Sequence, residues 1–481
     1  MKGYKIFLDT VHGYISVPDK YCENFVDTAN FQRLRRIEQL SSRSLYPCAR
    51  HDRFVHSIGV FHIGERLLDT IKSDGVVLDE SLEQSFLIAC LLHDVGHSPF
   101  SHTLESCFGS TSDLFVVYKS YLETNGIEYQ SLQKLDITRT DVKQHEIMSA
   151  LLCVTTYKDA IQSLKGDPAL VGRMIMGFQY TDASKSLENC FISLLHGDVI
   201  DADKLDYICR DKWSSGYQNN SVDVERIIKS VKLYKDKDGK YRIVYLKHAL
   251  YDIQSMIDNK NFQSNWVFKH HQVVYEQKIF KDAVEELVKS LGKEVKKEQL
   301  FNYRSFFEKI QVCDGVSVYM LSDDDIIHLM KSHHENTPHF KEWFSRSYKY
   351  VPLWKTYSEL IAILGDELSE YLLNDVGEVY DKIEDLLRNE YNVKVFTLES
   401  TPSMKSVKQG QVYLMYGDNL IVDYTELGMP KADTTYNNKT FKYVFIERTL
   451  FENEEINREN IVLKIVDFLK EIKLSNKKYF V

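Results

Sequence analysis

The sequence predicts a mainly α fold with a smaller C-terminal α+β lobe, and three observations lead there. Apolar residues recur at helical spacing through most segments up to residue 390. Beyond Tyr391 the chain changes to short runs rich in Val, Tyr, Phe and Ile, separated by Gly, Asn and Asp. A length of 481 residues also exceeds what one typical core accommodates. The expected division is a helical domain over 1–390 and an α+β lobe over 391–481.

Bulk composition excludes several classes. The chain is 43% hydrophobic and 27% charged, as ordinary globular domains are, and its net charge of -10 gives no general attraction for nucleic acid or an anionic membrane. A phosphate ligand would need a local basic site. No apolar run reaches bilayer length, and Met1-Lys2-Gly3-Tyr4-Lys5 lacks the apolar stretch of a signal peptide, so a cytoplasmic location is expected. The eight cysteines are scattered without a C-x-x-C pair, which argues against zinc knuckles and a disulfide framework.

Taken in order, residues 4–18 alternate loosely around Gly13 and Pro18 and read as a hairpin, with His12 filling the turn. From Asp27 to Leu40, Phe31, Leu34, Ile37 and Leu40 mark one face of a helix capped by Asp27 or Thr28, and Arg33, Arg35, Arg36 and Gln39 the other. A loop follows, ending in Arg50, His51 and Arg53. His56 then opens a helix whose apolar side carries Ile58, Phe61, Leu67, Leu68 and Ile71. Another helix, Ser81 to Leu92, is broadly apolar and delivers His93-Asp94 at its C-terminal end, with His97 and His102 close behind. Residues 141–153 form a helix with His145-Glu146 near its start. Residues 186–211 bring Asp201, Asp203, Asp206 and Asp211 together; Asp203, Tyr207 and Asp211 share one helical face, with Lys204 beside it. A long helical segment over 262–291 begins with Lys269, His270, His271 and Tyr275, and helices continue to 390. Strands are expected within 391–399, 410–416, 419–427 and 441–448, then a final helix from Arg458 to Ile472.

Two neutral imidazoles and two carboxylates suit a divalent metal of borderline softness. His56, His93, Asp94 and Asp203 supply that set, from three separate helices that leave positions open for water and a phosphate oxygen. Arg53 and Lys204 would neutralise phosphate charge and Tyr207 would donate a hydrogen bond. The implied chemistry is metal-assisted hydrolysis of a phosphoester or phosphoanhydride. The duller alternatives are a core histidine satisfied by its neighbouring aspartate and, for the acids, a solvated charged face.

The ordered segments FQRLRRIEQL, RFVHSIGV, LLHDVGHSPFSH, QHE and DADKLDYICRD resemble the HD superfamily of metal-dependent phosphohydrolases, and more narrowly the deoxynucleoside triphosphate (dNTP) triphosphohydrolases. The resemblance covers roughly residues 5–280. It implies an HD-type helical core and hydrolysis of a dNTP at the α-phosphorus to a deoxynucleoside and inorganic triphosphate. It implies His56, His93, Asp94 and Asp203 as ligands of a divalent ion (Fe, Mn, Zn, Co, Ni or Mg), with Arg53, Lys204 and Tyr207 on phosphates. Gln39 and Asp211 would bind the sugar 3'-hydroxyl, Leu40 would crowd the 2' position, and Tyr275 would face sugar or base. His145, supported by Glu105, would give a proton to the leaving 5'-oxygen, with His97 and His102 lining the phosphate channel.

The resemblance also implies a homo-oligomer and a regulatory nucleotide held by Lys5, Asp27, Gln32 and Arg35. Two positions depart from the pattern: Glu105 stands where an aspartate is common, and Val267 stands near the place of an arginine for the terminal phosphates. The alternative readings are a phosphodiesterase or nucleotidase for another nucleotide, and a weakly active nucleotide-binding sensor.

Overall fold

The computed structural model describes residues 3–40, 45–126, 142–374, 377–400, 406–417, 420–429, 441–453 and 456–477. Residues 41–44 of the expected loop and Asp141 of the expected helix fall outside them. Two compact units are present. The first comprises Met1–Lys260, Leu287–His333 and Val407–Pro430, and the second Asn261–Glu286, His334–Ser406 and Lys431–Val481. Residue 390 is therefore not where the units part. The strands after Tyr391 form, but they divide between two sheets. Tyr413–Tyr416 pairs in parallel with Tyr241–Leu246 in the first unit, and Val395–Glu399 pairs with Lys442–Glu447 in the second. Local composition marks a strand without saying which sheet receives it.

The first unit opens with an antiparallel hairpin, Tyr4–Asp9 and Gly13–Pro18, as expected. The helix expected from Asp27 to Leu40 is shorter: one α turn at Ala29–Gln32, then a 3-10 turn at Arg33–Arg36. The backbone beyond is extended because it pairs with the segment before His56. Gln39 N–H donates to the His51 carbonyl (3.0 Å) and Arg53 N–H to that of Ile37 (3.0 Å).

The unit's core is helical. Helix α1 (Arg53–Ser73) starts on an Asp52 cap that accepts from Val55 N–H and buries Ile58, Phe61, Leu67, Leu68 and Ile71. Helix α2 (Glu80–Leu92) starts on an Asp79 cap and buries Phe86, Ile88, Leu91 and Leu92, with His93 as its C-cap. Helix α3 (Thr111–Thr124) precedes α4 (Gln144–Val154), in which every residue from His145 to Val154 is buried. A helix buried all round belongs in an interior, and α4 packs against both α3 and α5 (Pro168–Met176). Helices α6 (Ser186–Leu195) and α7 (Ala202–Ser215) complete the group; α7 begins on Asp201 and ends at Gly216, whose φ of +72° is left-handed. A sheet in the order Leu420–Asp423, Tyr413–Tyr416, Tyr241–Leu246, Val231–Lys235 completes the unit's main β structure.

Two glycines set the close approaches that build the site. A Cβ on Gly59 of α1 would stand 2.0 Å from Asp206 Oδ1 and 2.5 Å from Arg210 Nη2, so only glycine lets these α7 side chains reach α1. A Cβ on Gly96 would stand 2.3 Å from the Ser149 backbone nitrogen; its own N–H donates to Ser149 Oγ (2.9 Å), pinning the loop after α2 onto α4. Gly96→Ala is expected to destabilise the protein by about 1–3 kcal/mol, because the obstacle is backbone that cannot rotate away. The midpoint of urea unfolding measures this, and an unchanged midpoint refutes the packing argument.

In the second unit, Tyr350–Pro352, Lys442–Glu447 and Val395–Glu399 form an antiparallel sheet. Helices Tyr357–Asn374, Glu378–Tyr391 and Arg458–Lys477 supply Leu360, Leu372, Ile383, Leu387, Ile461 and Leu469 to its core. Trp354 is fully buried there and donates Nε1–H to the Lys442 carbonyl (2.9 Å). The segment expected to be one helix over 262–291 instead passes through a π turn, Gln263–Phe268, before the helix His271–Leu291 begins. Among the described residues, no helix is long and apolar enough to cross a membrane.

Candidate metal centre

His56 lies in the first turn of α1, His93 at the end of α2, Asp94 one residue on, and Asp203 in the first turn of α7. The fold brings the four together. His56 Nε2 is 3.1 Å from His93 Nε2, 3.1 Å from Asp203 Oδ1 and 3.7 Å from Asp94 Oδ2. His93 Nε2 is 3.6 Å from Asp94 Oδ1 and 3.8 Å from Asp203 Oδ1.

Partners outside this set fix the tautomers. His56 Nδ1 lies 2.7 Å from Asp206 Oδ2 and His93 Nδ1 lies 3.0 Å from the Cys90 carbonyl. A carboxylate and a carbonyl only accept, so both Nδ1 atoms carry the hydrogen and each ring, when neutral, keeps an inward lone pair on Nε2. Two imidazole lone pairs and two carboxylates turned toward one point repel one another unless a cation lies among them. A divalent ion fits this donor set, and the outer hydrogen bonds are of the kind that orient metal-binding histidines. Without an ion, burial lowers the His56 pKa, but hydrogen bonds to Asp203 and Asp206 override it and raise it to about 10.

Asp206 anchors this arrangement. It is fully buried and uses both oxygens: Oδ1 accepts from His12 Nε2 (2.7 Å) and Arg210 Nη2 (2.8 Å), Oδ2 from His56 Nδ1 and Arg210 Nε (2.8 Å). Arg210 also donates to Asp9 (2.7 Å). Burial opposes ionisation, but Arg210 holds the Asp206 carboxyl well below the carboxylate range. Sequence reasoning did not assign this network. His12 was expected only to fill a turn, and Asp206 was one acid among four. The available signal was the i,i+4 spacing of Asp206 and Arg210.

The phosphate-side residues take varied positions. Arg53 is buried, donating Nη1–H to Asp94 and Nε–H to Ser101 Oγ (2.9 Å). Burial opposes the Asp94 charge, yet Arg53 with His93 and His56 keeps its carboxyl well below the ordinary range. Lys204 reaches Asp201 and the Gly197 carbonyl (2.7 Å), so its ammonium is engaged at the start of α7. Tyr207 has its pKa pushed well up by burial and by Asp203, Asp201 and Asp211, which keeps its hydroxyl a donor.

His51 links two of the sugar candidates: its carbonyl accepts from Gln39 N–H (3.0 Å) and its Nε2 lies 2.9 Å from Asp211 Oδ1. Gln39 Oε1 is buried without a hydrogen-bond partner among the described residues, and Leu40 is buried beside it in the chain. Tyr275 belongs to the second unit, where it is buried in the aromatic core against Phe445 and donates its hydroxyl to Glu342. Val267, also in that unit, is buried in the π turn.

A second group lies on the loop after α2 and the start of α4. Glu105 Oε1 accepts from His145 N–H (3.1 Å) and lies 2.6 Å from His145 Nδ1, while Oε2 lies 2.9 Å from His102 Nδ1. Burial raises the Glu105 pKa, but His145 and the bond from His102 bring it well below the ordinary value. His97 stacks on His145, their ring centroids 4.2 Å apart. Phe100 and Ser101, with φ of 54° and 51°, hold the loop in a strained left-handed turn that Asp323 ties down through Phe100 N–H (2.7 Å).

The four residues expected to hold a regulatory nucleotide form two bonded pairs. Lys5 Nζ donates to Asp27 (2.9 Å), and Arg35 Nε donates to Gln32 (3.0 Å) while its guanidinium covers the Phe54 ring at 3.5 Å.

Comparison with known proteins places the site in context. The uncharacterised protein YwfO of Bacillus subtilis is 30% identical over 271 residues, covering 56% of this chain and 52% of its own. A Dictyostelium discoideum homologue of the deoxynucleoside triphosphate triphosphohydrolase SAMHD1 is 30% identical over 286 residues, covering 58% of this chain and 47% of its own. Mouse SAMHD1 is 32% identical over 267 residues, covering 51% and 37%. The chain thus spans about half the length, or less, of these curated relatives. Among solved structures, a hypothetical protein from Aquifex aeolicus aligns with TM-score 0.62 at 20% identity, over 96% of this chain and 100% of its own. A phosphohydrolase from Bacteroides thetaiotaomicron aligns with TM-score 0.60 at 20% identity, over 92% and 99%. At that identity the likeness shows the fold alone. The HD domain family matches from Arg53, at the start of α1, to Met148, in α4, a span that holds His56, His93, Asp94 and His145. Residues 53–148 of this chain are therefore an HD domain.

Proposed function

We propose that this protein hydrolyses deoxynucleoside triphosphates to the deoxynucleoside and inorganic triphosphate. The observation that carries the reading is the convergence of His56, His93, Asp94 and Asp203 in the same unit as a His145–Glu105 pair. A divalent ion bound by that set would supply charge neutralisation on phosphate and a more acidic water. The chain's own residues would do the rest. Arg53 keeps Asp94 ionised and turned to the histidines. Asp206 and the Cys90 carbonyl hold both imidazoles as Nε2 ligands.

Water oxygen would attack the α-phosphorus as the bond from phosphorus to the 5'-oxygen breaks. Glu105 fixes the His145 tautomer by taking Nδ1–H, so protonated His145 presents Nε2–H to the leaving 5'-oxygen. Asp211 and Gln39 Oε1, which has no partner among the described residues, would accept from a sugar hydroxyl. The reading leaves Tyr275 to its core role. The SAMHD1 relatives support the choice of substrate.

The test is to incubate the manganese-loaded protein with each dNTP, ribonucleotide triphosphate, deoxynucleoside monophosphate and cyclic dinucleotide, and identify products by mass. Deoxynucleoside with triphosphate is expected. Monophosphate with pyrophosphate, or no turnover, overturns the proposal. Asp94→Ala is expected to lose both bound metal and activity; activity surviving that change would mean the site is wrongly assigned.

A further inference from the structure

Three imidazoles stand apart from the ligand set above. His97, His102 and His145 each offer a ring nitrogen, and these nitrogens lie within 4.8 Å of one another. His145 Nδ1 and His102 Nδ1 are both held by the single carboxylate of Glu105, at 2.6 Å and 2.9 Å. Because the carboxylate only accepts, both rings keep Nε2 as a lone pair when neutral. This is the outer-shell pattern that gives His56 and His93 their inward lone pairs, with one acid serving two rings. His97 adds the third donor. It is fully buried, and neither of its ring nitrogens has a hydrogen-bond partner among the described residues.

A buried imidazole with both nitrogens unpaired is costly. Burial, then Arg53 and the neighbouring imidazoles, put the His97 pKa well below the ordinary value, so this ring offers a phosphate no positive charge. A neutral ring is the form that ligates a metal.

We propose that His97, His102 and His145 form a second cation site, selective for ions that favour imidazole such as Zn²⁺, and that occupancy of this site inhibits the enzyme. Three imidazoles leave a fourth tetrahedral position open, and His102, with a side chain 53% exposed, provides the open side. Tetrahedral zinc places its nitrogens about 3.4 Å apart, so nitrogens within 4.8 Å of one another need only a small closure around the ion. Arg53 is already neutralised by Asp94, and Glu105 sets a negative charge behind two of the three ligands. Hard oxygen-seeking ions such as Mg²⁺ are rejected by an all-nitrogen site.

Inhibition follows from the lone pair used: an ion on His145 Nε2 occupies the atom through which the proton would pass. That consequence rests on the role proposed for His145; the binding does not.

Calorimetric titration of Zn²⁺ into the full chain is the test. The wild type is expected to bind one equivalent at each site. Asp94→Ala should keep only the imidazole-triad equivalent, and His102→Ala only the other. Glu105→Gln should weaken the triad site by about 10–100-fold. Cobalt absorption bands read the same occupancy without calorimetry, and circular dichroism verifies that each variant is folded.

A single equivalent in the wild type, or two in folded His102→Ala, overturns the second site. If two equivalents bind but no dNTP is turned over, the cation site stands and the proposed activity falls. If dNTPs are hydrolysed and zinc at the second equivalent does not slow the reaction, the inhibitory role is overturned.

Discussion

Asp206→Asn is expected to weaken divalent metal binding by about 10–100-fold and to destabilise the fold by about 3–5 kcal/mol. The two effects share a cause. Asp206 is fully buried and accepts from His12, His56 and both Nε and Nη2 of Arg210. An amide of the same shape can accept through only one of its two heads, so Arg210 loses one of its two bonds to this side chain in either orientation, and either His56 or His12 loses its acceptor. Arg210 would then be a buried cation with only Asp9 to answer it.

The sign with pH is fixed by the direction of the Asp206 shift. Its folded pKa lies well below the ordinary 3.8, so its stabilisation is full above about pH 4 and is lost as the pH falls below. Urea unfolding of the two proteins should therefore diverge most near neutral pH and converge in acid. Metal analysis by mass spectrometry, on protein shown to be folded, reads the binding effect. A variant that keeps full metal and full stability would show that the Asp206 network supports neither.

His145→Gln is expected to lower kcat by about 10²–10⁴-fold with little effect on KM or on bound metal. His145 touches none of His56, His93, Asp94 or Asp203 by hydrogen bond; its partners are Glu105, His97 and His102. In the proposed reaction, removing it would take away the proton for the departing 5'-oxygen and leave the charge proposed to bind phosphate in place. A substrate with a better leaving group, one whose alkoxide needs no proton, should recover most of the rate. Loss of metal in His145→Gln, or an equal loss on the activated substrate, would count against a proton-donor role.

Much of the first unit was legible because its signals are local. The apolar face of α1 and the delivery of His93-Asp94 at the end of α2 follow from spacing alone. The four-ligand grouping was legible as a donor set, and its geometry was not, since two glycines decide how closely α7 and α4 approach their neighbours. The helix expected over 27–40 stopped early because residues 37–39 pair with the chain before His56. Periodicity cannot see that partner. The roles of Asp206 and His12 were hidden for the same reason: their contacts lie 150 and 194 residues away in the chain.

The parallel pairing of Tyr413–Tyr416 with Tyr241–Leu246 sets a limit on how this protein can be divided. A chain ended near residue 390 would keep every proposed metal ligand and still lose the neighbour of that strand. Its amides and carbonyls would become an open template for a strand from another molecule. The candidate metal centre and the C-terminal region are thus linked through solubility: shortened at 390, the protein would keep the proposed ligands and expose a strand edge prone to self-association.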